Sequence, residues 1–250
     1  MDVTIEPLSC GTLTAGRSMF ETGADDTPIV LPVPAWLIRH GDDLALFDCA
    51  MHTGLTTAGP ARDLVELFFG LAVGPDDMVA NRLRQRDVDP TDIDVVILSH
   101  LHFDHAGGLA QIPDARVLVQ RDEWAAGSDP DMAAANTFDP SDYDLGHDIV
   151  TIDGEHDVFG DGRVVCLPTP GHTPGHQSLR VRLADREVVL CADCAYFAET
   201  IDGAPLPPIG HDPGQQAHSI GRLRDLRAAG ATLIPGHDPE VFASLPPLLA

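Results

Sequence analysis

The stretch Ser99-His100-Leu101-His102-Phe103-Asp104-His105 constrains this chain more than any other, because it sets three imidazoles and a carboxylate within six positions. It follows directly on Asp94-Val95-Val96-Ile97-Leu98, whose apolar residues run without alternation, as a strand covered on both faces requires. In extended backbone, alternate side chains share a side. His100 and His102 therefore reach one point together, while Asp104 and His105, past a turn, reach a second point nearby. No packing rule asks for such a group, and imidazole nitrogen with carboxylate oxygen suits zinc at about 2.0–2.2 Å. Gly107-Gly108 comes next and is expected to let the backbone turn tightly beside a metal.

Three distant segments offer the remaining ligands. His172 sits in the Pro/Gly-rich turn Thr169-Pro170-Gly171-His172-Thr173-Pro174-Gly175-His176. Asp193 ends the apolar strand Glu187–Ala192, and His237 follows the strand Thr232–Ile234. Each projects from a strand end, where sites on layered sheets are built. Five histidines and two aspartates suffice for two metals sharing one carboxylate. His176 reads as a hydrogen-bonding support. His40, His52, His147, His156, His211 and His218 lack such context and read as surface or structural.

The rest of the chain fits one domain over residues 1–250 with no linker or repeat. Strands are expected around Val3–Leu8, Pro34–Ile38, Leu44–Phe47, Arg116–Gln120, Arg163–Leu167 and Gln177–Leu183, with a hairpin turn at His40-Gly41-Asp42-Asp43. Helices are expected at Asp63–Ala72, Asp77–Asp87 and Gln215–Ala229, the last with Ile220, Leu223 and Leu226 on one face. Residues 127–148, rich in Asp, Pro and Gly, read as a surface loop or short cap. This order predicts a layered α/β (α+β) sandwich.

Charge and composition then exclude whole classes of function. The net charge of -24 repels nucleic-acid phosphates and anionic membranes, so neither is an expected partner. The fifteen basic residues are all Arg, and the absence of Lys rules out Schiff-base chemistry and the Walker A loop. The N-terminal residues show no basic and apolar leader, and no apolar run is long enough for a membrane span. Five cysteines, an odd count without secretory context, predict reduced thiols in a cytoplasm. Cys191-x-x-Cys194 could be redox-active, but Cys191 ends an apolar strand and reads as a buried inert thiol.

Taken together, HLHFDHAGG, TPGHTPGHQSL, Asp193 and PGHD resemble the metallo-β-lactamase superfamily, over most of the chain from Leu31 to His237. The resemblance implies a four-layer αββα sandwich with the site at one edge of two sheets. It implies one zinc on His100, His102 and His172, a second on Asp104, His105 and His237, and Asp193 bridging them. Asp48 matches an early strand-end aspartate that supports the ligands. Within the superfamily, VQRDEW, TPGHTPGHQSL and GHDPGQQAHSIGRL are similar to the N-acyl-homoserine lactonase branch, with His211 where an apolar residue is expected. That branch places a tyrosine three residues after the bridging aspartate, here Tyr196, to act on the substrate carbonyl.

The implied activity is a dinuclear-zinc hydrolase opening a lactone ring by attack of a metal-activated water, with N-acyl-homoserine lactones as substrates in quorum quenching. Asp104 would pass a proton to the departing alkoxide. Phe103, Phe68 and Phe69 are candidate acyl-chain contacts. Iron, manganese or cobalt remain alternatives to zinc. A glyoxalase II-like thioesterase, a phosphoesterase or a β-lactamase is the second reading, and a non-catalytic metal-binding module the third. The chain is expected to work as a monomer or homodimer.

Overall fold

The parity of buried residues along the strands sorts them into two sheets around one shared core. The computed structural model describes residues 2–250. In chain order the elements are β1 (Val3–Gly16), β2 (Pro28–His40), β3 (Asp43–Phe47), α1 (Pro60–Val65), β4 (Gly70–Ala72), α2 (Val79–Arg84), β5 (Val95–Ile97), β6 (Arg116–Gln120), α3 (Arg121–Ser128), α4 (Pro130–Ala135), α5 (Pro140–Tyr143), β7 (Ile149–Ile152), β8 (His156–Asp157), β9 (Val164–Pro168), β10 (Gln177–Arg182), β11 (Glu187–Ala192), α6 (Ala198–Asp202), α7 (Pro213–Ala228), β12 (Thr232–Pro235) and α8 (Pro239–Ser244). One sheet runs β4-β1-β2-β3-β5-β6-β7 and the other β12-β11-β10-β9-β8. From β3 through β7 the pairing is parallel, and β11 pairs β12 in parallel; the remaining pairs are antiparallel.

Val95 and Ile97 of β5 face inward, packing in one cluster with Phe47, Leu179, Val181, Leu190 and Ile234 between the sheets. Val96 and Leu98 face the other way, into a cluster with Leu83 of α2 and Ala126 of α3. This explains the unbroken apolar run: both faces of β5 are covered. On the far side, Ile220 and Leu223 of α7 pack on Val189 and Cys191 of the smaller sheet. The layers are therefore helix, sheet, sheet, helix, the expected sandwich. Among the described residues no helix is long and apolar enough to cross a membrane.

One expectation is corrected and another resolved. The helix foreseen over Asp63–Ala72 stops at Val65, and residues 70–72 pair with β1, Thr12 opposite Ala72. None of α1 is buried, so burial gives helix no advantage over edge pairing. Residues 127–148 are the short cap rather than the surface loop: they carry α4 and α5, with Phe138 and Tyr143 buried and the Tyr143 hydroxyl donating to Gly127 O at 2.9 Å. The Asp-Pro pairs that suggested a loop start these helices: Asp129 and Asp139 cap the first turn through their side chains, and each following proline fills the first helical position. Asp212-Pro213 and Asp238-Pro239 open α7 and α8 in the same way.

Candidate metal centre

Five strands end at one edge of the sandwich, and each supplies a chemically active group just past its carboxyl end. Asp48 follows β3, the segment 99–105 follows β5, His172 follows β9, Asp193 follows β11 and His237 follows β12. The backbone is strained where two carboxylates are set: Asp48 and Ala192 have φ of 60° and 45°. Such left-handed conformations in non-glycine residues cost about 1–3 kcal/mol each and persist where packing over-determines them.

The donors form two groups. His100, His102, His172 and Asp193 offer one ligand atom each within 4.8 Å of one another, and so do Asp104, His105 and His237. Asp193 faces both. Its Oδ2 lies 3.5 Å from His172 Nε2 and 3.9 Å from His100 Nε2, whereas its Oδ1 lies 3.0 Å from His237 Nε2 and 3.3 Å from His105 Nε2. Asp104 Oδ2 lies 3.8 and 3.7 Å from His105 and His237. All seven candidate ligands read from the sequence are thus brought together.

The outward nitrogen of each histidine is already occupied. His105 Nδ1 donates to Asp48 Oδ2 at 2.9 Å and His237 Nδ1 to Pro32 O at 2.8 Å. His102 Nε2 donates to Asn136 O at 2.9 Å. The Ser99 hydroxyl donates to Asp48 Oδ2 at 2.8 Å and accepts from His100 Nδ1 at 2.9 Å. His172 Nδ1 donates to the Tyr196 hydroxyl at 3.4 Å. Asp48 therefore orients ligands of both groups, as carboxylates behind metal-bound histidines do.

These partners turn five nitrogens inward. Burial holds His100, His102 and His172 below the usual imidazole range, so theirs are lone pairs, while at His105 and His237 burial is outweighed by Asp193 and Asp104, which push both imidazoles up. His102 Nδ1 lies 2.9 Å from His100 Nε2 and 3.0 Å from His172 Nε2, and His105 Nε2 lies 3.3 Å from His237 Nε2. Lone pairs at the first group's spacing repel unless a cation sits among them. Asp193 Oδ1 is buried without a hydrogen-bond donor, and Asp48, Asp104 and Asp193 have only histidines as charged partners among the described residues. Three buried carboxylates without Arg call for positive charge from elsewhere. Burial holds His100 and His172 well below the usual imidazole range, ready as neutral ligands. The donor set fits two divalent ions.

Tyr196 lies over the site. Its ring stacks on His237 at 5.6 Å and 25°, and Phe20 packs against it at 5.1 Å. Burial, then Asp193 and Asp104, push its phenol well above the usual value, so it stays protonated. Its hydroxyl meets His172 Nδ1 at 3.4 Å and hydrogen-bonds Asp193 as well. Two apolar cavities open here. An inner one of about 160 Å³ is bordered by Leu31, Phe103, Asp104, Asp193, Tyr196 and His237. An outer one of about 330 Å³ is bordered by Met19, Phe68, Ala135, Asn136 and His211. Phe69, His102, Thr137, His172 and Ile209 line both. Phe69 and Phe103 thus reach the site, while Phe68 stands at the mouth, 63% exposed. His211 is at the rim, its backbone N–H donating to His172 O at 2.9 Å.

His176 stands outside both donor groups, as a hydrogen-bonding residue behind the ligands. It hydrogen-bonds Thr169 Oγ1 at 2.9 Å rather than a ligand, and packs its ring 5.2 Å from His100. Cys191 is buried with its thiol pushed up to about 12, and Cys194 is higher than usual too, both by burial, so neither is a reactive thiolate. Sequence reasoning misses Ser99, Asn136, Phe20 and Ile209. Asn136 acts through its carbonyl, which any residue would supply. Phe20 and Ile209 lie beyond the short motifs, and only Ser99, directly before the HLHFDH run, stood in view.

The profile of the Metallo-beta-lactamase superfamily matches residues 28–237. The N-acyl homoserine lactonase AttM of Rhizobium radiobacter is 31% identical over 256 residues, covering 97% of this chain and 96% of the relative. The N-acyl homoserine lactonase AiiA of Bacillus thuringiensis subsp. kurstaki is 34% identical over 238 residues, covering 91% and 92%. Among solved structures, a B. thuringiensis AiiA variant with N-decanoyl-L-homoserine at its active site superposes with a TM-score of 0.85 at 27% identity, covering 98% of each chain. An N-acyl homoserine lactone hydrolase with N-hexanoyl-L-homoserine at its catalytic metal centre gives 0.84 at 27% identity and 98% of each chain.

Proposed function

The chain belongs to the metallo-beta-lactamase superfamily, and from that premise we propose that it is a dizinc hydrolase opening the ring of N-acyl homoserine lactones, as AttM and AiiA do by name. One observation carries the reading: a carboxylate that turns one oxygen to each of two histidine groups lies under a protonated tyrosine in an apolar cavity. His100, His102 and His172 would hold one ion, Asp104, His105 and His237 the other, and Asp193 both. When bound, the pair supplies an acidified water and Lewis-acid polarisation of the carbonyl.

The chain's own residues do the rest. The Tyr196 hydroxyl donates to the lactone carbonyl oxygen as negative charge develops on it. Asp104, which borders the inner cavity, takes the proton given up by the attacking water and hands it to the departing alkoxide. Phe69, Phe103 and Ile209 exclude water, and the outer cavity past Phe68 takes the acyl chain. We place the enzyme in the cytoplasm, on the strength of five buried free thiols.

Acid release in a pH-stat, with and without chelator, tests this reading. The substrates are short- and long-chain acyl-homoserine lactones, a plain γ-lactone, a glutathione thioester and a β-lactam. Chelator-sensitive release from the homoserine lactones is the expected result. Release from the thioester or β-lactam alone would discard the lactonase reading. Tyr196→Phe should keep the bound metal and lose about 10- to 100-fold in kcat, with little change in KM, because one hydrogen bond to a charged oxygen made only in the transition state is gone. Unchanged kinetics would remove Tyr196 from the mechanism.

A further inference from the structure

Glu123 lies in the first turn of α3, outside every motif that carries a ligand, yet it is fully buried. Its Oε1 accepts from the backbone N–H of Leu101 at 3.1 Å, the residue between His100 and His102. Its Oε2 accepts from Thr173 Oγ1 and from the backbone N–H of Gly175, both at 2.8 Å, just past His172. The three donors favour the charged carboxylate, but burial outweighs them and moves the acid up to about 7. A buried carboxylate without a cation is costly, and this one joins two segments about seventy residues apart in sequence. The close approach is built in: a Cβ on Gly175 would lie 2.2 Å from Glu123 N. Gln177 ties the same segments independently, its backbone N–H donating to Ser99 O at 2.9 Å and its amide to Leu98 O at 2.8 Å.

We propose that Glu123 is a positioning residue for metal retention, fixing the distance between the His100/His102 segment and the His172 turn so that their three nitrogens converge. It touches no donor atom and acts through the backbone on either side of the ligands. The proposal rests on the two-metal reading of the site.

The experiment uses the full chain loaded with zinc. It compares the parent with Glu123→Ala and Glu123→Gln. Zinc per chain and the rate of zinc loss to a coloured chelator at 25 °C are measured beside the melting temperature of the metal-free proteins. Glu123→Ala should lose one of the two ions about 10- to 100-fold faster than the parent, the range for removal of a group that supports ligands. Glu123→Gln should fall between. Its carbonyl can still meet Leu101, but its NH2 is turned against the Gly175 N–H. If Glu123→Ala fails to fold, the near-isosteric Gln variant carries the test. Unchanged zinc loss in the variants, with only the melting temperature lowered, would make Glu123 merely structural and overturn the proposal. A parent that binds no zinc would instead overturn the metal reading itself, and this proposal with it.

Discussion

Asp193→Ala should lower kcat/KM for lactone opening by about three orders of magnitude, corresponding to about 4 kcal/mol of transition-state stabilisation. Among the described residues, no other single side chain offers a ligand oxygen to both donor groups. Its two oxygens lie 3.5 Å from His172 Nε2 and 3.0 Å from His237 Nε2, so one truncation removes a donor from each. The first group falls to three nitrogens and the second to Asp104 and two nitrogens. Metal content per chain, measured beside the kinetics, separates loss of the ions from loss of alignment. A variant within tenfold of the parent, with both ions retained, would show that Asp193 does not join the two groups.

Gly108→Ala should destabilise the fold by about 3 kcal/mol or more, as forced overpacking against an unyielding neighbour does. An added Cβ would lie 1.9 Å from Cys49 O and 2.9 Å from its carbonyl carbon, and backbone cannot swing aside. The two segments are also pinned together, by Gly108 N–H to Ala50 O at 2.9 Å and Cys49 N–H to His105 O at 2.7 Å. Relief would therefore drag His105 or Asp48 with it. For a chain of this length the melting temperature should drop about 6–12 °C. Gly221→Ala on α7, where an added Cβ meets nothing within 4 Å, should be neutral or slightly stabilising. Equal melting temperatures for the parent and Gly108→Ala would refute the close approach. The sequence suggested that this glycine serves a tight turn. The structure gives a different reason: it lets one strand-end segment lie against another.

Legibility differed with the kind of signal. β5 and β6 could be read because their apolar runs match strands covered on both faces, and α7 because Ile220 and Leu223 recur at helical spacing. β4 could not, since Gly70-Leu71-Ala72 is strand only because β1 offers it an edge. α4 and α5 had a usable signal in Asp129-Pro130 and Asp139-Pro140, which mark helix starts as readily as loops. At the site, His100, His102, Asp104 and His105 announced themselves by spacing. Glu123 and Asn136 did not, because one acts on backbone amides from a distant helix and the other through its own carbonyl.

The sequence by itself determined which atoms can bind: ligand type and order along the chain are covalent facts, and three imidazoles with a carboxylate in six positions admit few other uses. Only the tertiary structure decided which nitrogen of each histidine faces inward. That choice is made by Asp48, Pro32 and Asn136, partners brought in from other strands and turns, and by Ser99, whose hydroxyl Asp48 holds in place. It also decided that Asp193 stands between the groups and that Phe69 and Ile209 meet beside Tyr196. Spacing in sequence constrains direction within one strand or turn. Convergence across five strand ends depends on sheet order and on the packing of two sheets, which is settled by the summed burial of the whole core rather than by any local motif.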